Sequence, residues 1–412
     1  MVAVTPSTPG LRARREAVLG PAYRLFYTDP IEIVRGEGAW LWDADGRRYL
    51  DGYNNVASVG HANPVVVEAI SRQAAVLNTH TRYLHAGVVE YAERLTAMMP
   101  AALDTVMFTC TGSEANDLAL RLVIEATGRT GVIVTRTAYH GVTAAIAAIS
   151  PSLGMGVGEH VRVIDPPRGV QSQDGVRFAV EVAAAATELA SAGHPVAALI
   201  VDTVLSSDGL IPEPVGFLAE AARAVRAAGG VFIADEVQAG FGRTGNLWGF
   251  ARHGVEPDVV TLGKPMGNGH PLAGVVIRRD LAEPMASRTR YFNTFGGNPV
   301  SSAAGQAVLD VIEREGLVAR AGERGAHLLD GLRAGVGNAA GVVDVRGVGL
   351  YAAVELDSGE RAGRVVDRMR AAGVLIAATG PGGRILKIRP PLIIDVDQVE
   401  LLVGTLVECL GG

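Results

Sequence analysis

The order of the apolar runs between Thr105 and Ile277 limits the possible folds more than any other feature of this chain. Short Val/Ile-rich stretches recur at Thr105 to Thr109, Val132 to Thr135, Val161 to Ile164, Ala197 to Asp202, Val231 to Asp235, Val259 to Leu262 and Gly274 to Ile277. Each has the length of a strand. Helical spacing fills most of the gaps, at Ser113 to Thr127, about Val142 to Ile149, Phe178 to Ala192 and Phe217 to Ala228. Near-continuous apolar strands alternating with helices predict an α/β fold, with a mostly parallel sheet covered on both faces. Ligands of such sheets bind beyond the carboxyl ends of the strands.

The flanks read differently. Residues 1–20 form a loose arm, and short strands follow at Ile31 to Val34, Ala39 to Asp43 and Arg48 to Leu50, with helices at Pro64 to Leu77 and Gly87 to Met99. After Asn298-Pro299 come two long helical patterns, then strands at Val342 to Arg346, Leu350 to Leu356, Val374 to Ala377 and Ile385 to Ile388. The expected organisation is an arm and part of a small domain over 1–60, a large α/β domain over 61–315, and a small α+β domain over 316–412. Gly347-Val-Gly349-Leu-Tyr-Ala352 matches a dinucleotide fingerprint, but the stretch after it continues as strand rather than opening a helix, so it is set aside.

Composition excludes several functions. Hydrophobic residues make up 48% and charged residues 19% of the 412, which excludes a disordered chain. A net charge of −6 argues against nucleic-acid binding. The two cysteines, Cys110 and Cys409, suit neither a disulfide framework nor a metal site, so no metal is expected and a reducing cytoplasm is the expected location. The first twenty residues lack the apolar segment of a signal peptide, and no apolar run reaches the roughly 20 residues that span a bilayer.

The chemistry gathers at two strand ends. Lys264 stands between Gly263 and Pro265, with Gly267 and Gly269 close behind, a setting that no helix tolerates and no solvated lysine needs. Asp235 ends the preceding apolar run. An imine-forming lysine beside an acid that can hold a pyridinium nitrogen is the working pair of pyridoxal 5'-phosphate (PLP) chemistry. Thr111-Gly-Ser-Glu-Ala-Asn-Asp117 follows a strand and opens a helix, where Gly112 allows close approach of a phosphate and Ser113 is the expected N-cap. Tyr139, after a strand with His140 beside it, could stack on such a ring or be an ordinary core tyrosine, and Gln238 could reach its phenolic oxygen or lie on the surface. Thr294, in a second Gly-containing turn, can donate to phosphate.

Taken together, Thr111-Gly-Ser-Glu-Ala-Asn, Tyr139-His-Gly, Ala234-Asp-Glu-Val-Gln-Ala-Gly-Phe-Gly-Arg-Thr-Gly245 and Leu262-Gly-Lys264 resemble the class III (ω-type) aminotransferase family. The resemblance runs from about Leu25 to Leu410. It implies a fold-type I PLP enzyme with a seven-stranded sheet, Lys264 as the Schiff-base lysine, Asp235 on the ring nitrogen, Tyr139 on the ring face and Gly112/Ser113 on the phosphate. It also implies a homodimer in which Thr294 reaches the cofactor of the second subunit. Gly263-Lys-Pro-Met-Gly-Asn-Gly-His-Pro271, with Tyr291-Phe-Asn-Thr-Phe-Gly-Gly-Asn-Pro299 and Leu77-Asn-Thr-His-Thr-Arg-Tyr-Leu-His85, is similar to the ethanolamine-phosphate phospho-lyase branch. One departure is Asp202, without a following proline, where many class III aminotransferases carry Glu-Pro.

Three functions stay open on the sequence: a phospho-lyase acting on phosphoethanolamine or a similar phosphorylated amine, a transaminase moving an amino group between an amine and a 2-oxo acid, and a non-catalytic relative. Intact Lys264 and Asp235 speak against the last, and the lysine loop favours the lyase. A phosphorylated substrate needs a cation. Arg82 is the first candidate, with Tyr27, Asn55 and Arg389 as further substrate contacts and His80, His85, Arg24 and Lys387 behind them. Lys387 and Arg389 alternate with apolar residues and so share one strand face.

Overall fold

The computed structural model describes residues 10–167 and 171–411. Positions 1–9 of the expected arm lie outside them. Three short strands come first: β1 (Ile33–Glu37), β2 (Trp40–Asp43) and β3 (Arg48–Asp51). The central sheet is built from β4 (Thr105–Thr109), β5 (Gly131–Thr135), β6 (Val161–Ile164), β7 (Val196–Asp202), β8 (Val231–Asp235), β9 (Val259–Leu262) and β10 (Ala273–Ile277). The C-terminal strands are β11 (Val342–Val348), β12 (Tyr351–Leu356), β13 (Val374–Leu375), β14 (Ala377–Thr379) and β15 (Ile385–Ile388).

The seven-stranded sheet has the order β4-β10-β9-β8-β7-β5-β6. Its strands alternate between two apolar cores. Val132, Val134, Ile200 and Ile233 pack on one face, and Ile133, Leu199, Val201 and Phe232 on the other. That is why these strands read as unbroken apolar runs: with helices on both faces, neither side of the pleat meets water. The sheet is parallel from β6 through β9, but β10 runs antiparallel to both β9 and β4. Asp202 and Asp235 sit side by side at the carboxyl ends of β7 and β8.

Two smaller sheets lie outside the large one. β3 pairs parallel with β13, Leu50 opposite Val374, so the two ends of the chain share one sheet. The other has the order β11-β12-β15-β14, and in it Lys387 stands between Ala353 and Ala377. The backbone N–H of Arg389 donates to Gly52 O at 2.7 Å and ties the two together.

Three local expectations change. Residues Leu11–Val18 are a helix with no buried side chain, not a loose arm; its one side-chain pair within the helix, Arg12–Glu16, is solvent-exposed. The stretch expected as helix from Val142 narrows to Ala144–Ala147, because Gly141 has φ +142° and the Val142 N–H donates to Ser113 Oγ instead of entering a helical turn. A helix over Arg279–Arg288 was not expected, because Pro284 lies inside it. As expected, no helix opens after Gly347-Val-Gly349: Gly347 to Ala352 turns a hairpin between β11 and β12. Among the described residues no helix is long and apolar enough to cross a membrane.

Candidate active site

Lys264 leaves the sheet directly after β9. Gly263 is fully extended, then Lys264 takes φ +27° and opens the short turn Lys264–Gly267. A non-glycine residue there is strained and persists only when its surroundings fix it. They do: Asn268 closes the turn at φ +48°, accepts the Val59 N–H at 3.0 Å and donates to Gly60 O at 2.8 Å. Ser58 Oγ reaches Pro265 O at 3.4 Å. The Pro-Met-Gly-Asn tail therefore anchors the lysine to the segment after β3. Burial lowers the Lys264 pKa to about 8, with Arg389 adding to the shift and Asp235 and Asp202 opposing it.

Asp235 ends β8 and is buried. Its Oδ2 meets His140 Nδ1 at 2.7 Å and accepts from Asn116 Nδ2 at 3.0 Å, and its Oδ1 accepts the Val237 N–H at 3.1 Å. Burial alone pushes the carboxyl up. The hydrogen bond and charge of His140, helped by Lys264, outweigh it and hold the carboxyl below its ordinary range. Asp235 is thus kept ionised in an apolar sheet, with Oδ1 carrying a single protein donor.

The end expected to bind an anion is made by helix Gly112–Thr127. Ser113 was the expected cap, but Thr111 is the residue that caps: its hydroxyl accepts the Glu114 N–H while Glu114 reaches back to the Thr111 N–H. This reciprocal box satisfies the helix start and leaves Ser113 in the first turn. A Cβ on Gly112 would stand 2.9 Å from Val237 Cγ1, and one on Gly141 would stand 2.5 Å from Ser113 Oγ. Both glycines are needed for these segments to close on one cleft.

That cleft is lined by Gly112, Ser113, Tyr139, Asp235, Gln238 and Lys264, with Asp202 beside them. Its residues suit PLP: a helix start for the phosphate, a charged carboxylate for the ring nitrogen, and an amine of lowered pKa for the aldehyde carbon. Tyr139 is 38% exposed, unlike its neighbours, and free to lie on a ring.

The remaining candidates divide between the cleft wall and the surface. Gln238 donates to Ser206 Oγ at 2.6 Å and accepts from Arg389. Asn55 is buried as a clip, donating to Gln238 O at 2.8 Å and accepting from Arg243 Nε at 2.9 Å. Arg389 lies over the Tyr53 ring, 4.6 Å from its centroid, and donates to Tyr53 O. Arg82 is exposed and packs on Phe292 at 3.8 Å, outside the cleft lining, and Thr294 lies on the same exposed stretch. Tyr27 Oη bonds Ile376 O at 3.4 Å, away from the cleft.

Sequence reasoning missed Asn116, Ser206, Tyr351 and Arg243. Asn116 had a signal, one helical turn after Gly112 on the same face. Tyr351 and Arg243 had none, since their partners lie more than 100 residues away, and the bond of Ser206 to Asp202 four residues before it does not reveal its contact with Gln238.

The aminotransferase class-III family profile matches residues 26–410. The alanine–glyoxylate aminotransferase 2-like protein of Drosophila melanogaster is 40% identical over 96% of this chain and 86% of its own length. The ethanolamine-phosphate phospho-lyase homolog 1 of Caenorhabditis elegans is 34% identical over 96% of this chain and 92% of its own. A phospholyase from Arthrobacter, solved in complex with phosphoethanolamine, superposes with a TM-score of 0.94 at 42% identity, covering 98% of this chain and 99% of that one. The chain belongs to the PLP-dependent class III aminotransferase family.

Proposed function

We propose that this enzyme is a phospho-lyase that converts O-phosphoethanolamine and water to acetaldehyde, ammonia and phosphate. The observation that carries the reading is the pair of buried cations Lys387, on β15, and Arg389, directly after it, whose charges bear on Lys264. Both charges act on Lys264 and lower its pKa. Buried positive charge of this density suits a substrate with a doubly charged group. The likeness to a phospholyase in complex with phosphoethanolamine supports the same reading.

When bound, PLP supplies an electron sink for the carbon bearing the substrate nitrogen. Lys264, neutral in a useful fraction at physiological pH, takes the proton from that carbon. Asp235, fixed by His140 and Asn116, holds a proton on the ring nitrogen. Gly112 and Ser113 bind the cofactor phosphate at the helix start, and Tyr139 covers the ring. Thr294 and Arg82, both turned outward from their own chain, serve the site of a second copy in a homodimer. A cytoplasmic location completes the proposal, supported by two unpaired cysteines.

Transamination between an amine and a 2-oxo acid is the second reading, favoured by the 40% identity to an aminotransferase-named relative. Incubation with phosphoethanolamine and no oxo acid decides between them. Release of free phosphate is the expected result. No phosphate, together with pyruvate-dependent conversion of an amine, would establish the transaminase instead.

A further inference from the structure

Losing phosphate from a monoester dianion poses a problem that taking the proton from carbon does not solve. Unassisted, the C–O bond would release the phosphate trianion, a strong base at neutral pH. The departing oxygen needs a proton as the bond breaks. We propose that Lys387 is the acid that supplies it.

The argument is by partners. Arg389 donates to Tyr53 O and Gln238 Oε1, and Arg243 to Asn55 Oδ1, Leu350 O and Pro390 O. Both are guanidiniums, which do not give up protons near neutrality. Asp235 is held ionised by His140 and Asn116. Burial and the neighbouring Asp235 push the Asp202 carboxyl up, but its two oxygens already accept from the Val204 and Ser206 N–H groups and from Ser206 Oγ, donors that favour the ionised form.

Lys387 differs from all of these. It is 7% exposed and has no hydrogen bond or ion pair among the described residues. Its strand neighbours are Ala353 and Ala377, which offer its ammonium nothing. Nζ lies 5.8 Å from the ring centroid of Tyr351, whose hydroxyl reaches Gln238 at 3.4 Å in the cleft wall. Its charge is felt by both Lys264 and Asp202, which line the cleft. Burial lowers its pKa to about 7, so a bound dianion completes its protonation and a departing one can take the proton away.

The step balances. Lys264 takes the proton from the nitrogen-bearing carbon, and the electron pair left there forms the double bond to the next carbon. The C–O bond on that carbon breaks with its pair going to the phosphate oxygen. The Lys387 proton joins that oxygen, leaving a neutral amine that water reprotonates after hydrogen phosphate departs.

This inference rests on the phospho-lyase reading, and the test separates the two. Holoenzyme carrying Lys387→Met or Lys387→Arg is compared with wild type on phosphoethanolamine and on ethanolamine O-sulfate, whose sulfate leaves without needing a proton. Phosphate release should fall about 100-fold or more in both variants. Sulfate release should fall less than about tenfold in Lys387→Arg, which keeps the charge. Binding of inorganic phosphate, followed by phosphorus NMR, should persist in Lys387→Arg and weaken in Lys387→Met. Equal losses for both leaving groups would overturn the acid assignment and leave Lys387 a binding residue. If wild type does not turn over the sulfate ester, Lys387→Arg decides: a 100-fold loss of turnover with retained phosphate binding supports the assignment, and turnover near wild type overturns it. No phosphate from wild type removes the lyase reading and this inference with it.

Discussion

In the proposed mechanism Lys264 must be a neutral amine to capture the cofactor, and the fold prepares it for that at a cost in stability. An amine at its ordinary 10.5 has about one molecule in 3,000 neutral at pH 7, whereas at about 8 the fraction is about one in 11. The gain is about 300-fold, equivalent to about 3 kcal/mol. In a pH series, capture of PLP by the apoprotein, followed by absorbance of the lysine-bound cofactor, should quicken about tenfold between pH 7 and pH 9 and then level off. An ordinary lysine would quicken about 100-fold over that interval and keep rising, and that result would refute the claim that burial lowers the Lys264 pKa. The sign for stability follows from the same shift. The folded apoprotein binds fewer protons than the unfolded chain between about pH 8 and 10.5, so stability rises with pH there and the full penalty applies below it. Lys264→Met apoprotein should therefore be more stable than wild type to urea at pH 7, by up to about 3 kcal/mol, with the gain fading towards pH 10.5.

Other consequences follow from single contacts. Gly141→Ala places a methyl against Ser113 at a positive φ and should weaken PLP binding about five- to 150-fold in a fluorescence titration, through about 1–3 kcal/mol of backbone strain. His140→Phe removes the 2.7 Å partner of Asp235; the carboxyl then protonates at higher pH, so the acid limb of the activity profile should move up, with turnover at neutral pH falling about ten- to 100-fold. Thr111→Ala deletes the cap of helix Gly112–Thr127 and should cost about 1 kcal/mol in denaturant unfolding. Gly305→Ala would set a Cβ 2.3 Å from the ring of fully buried Tyr91, an overpacking that costs about 1–3 kcal/mol in the same measurement.

What could be read in the chain alone was whatever depends on neighbours in sequence. Strand-length apolar runs, the glycine-rich start of the helix after β4, and Lys264 and Asp235 at strand ends are local patterns, and the structure has them within a residue or two. The direction of β10 was not legible, since an apolar run buried on both faces reads the same either way along the sheet. Thr111 rather than Ser113 as the cap turned on Glu114 bonding back, a choice between two plausible neighbours.

The site residues divide along the same line. Arg82 drew attention as an arginine in a polar loop, yet it packs on Phe292 outside the cleft of its own chain. Lys387 ranked lower because a lysine between apolar residues on a strand is ordinary in sequence. Only tertiary structure shows its neighbours on adjacent strands to be alanines and its charge to bear on Lys264. Burial and pairing are set by segments that the fold brings together, some, like those of Lys264 and Lys387, more than 100 residues apart, and the electrostatics of a buried charge depend on all of them at once.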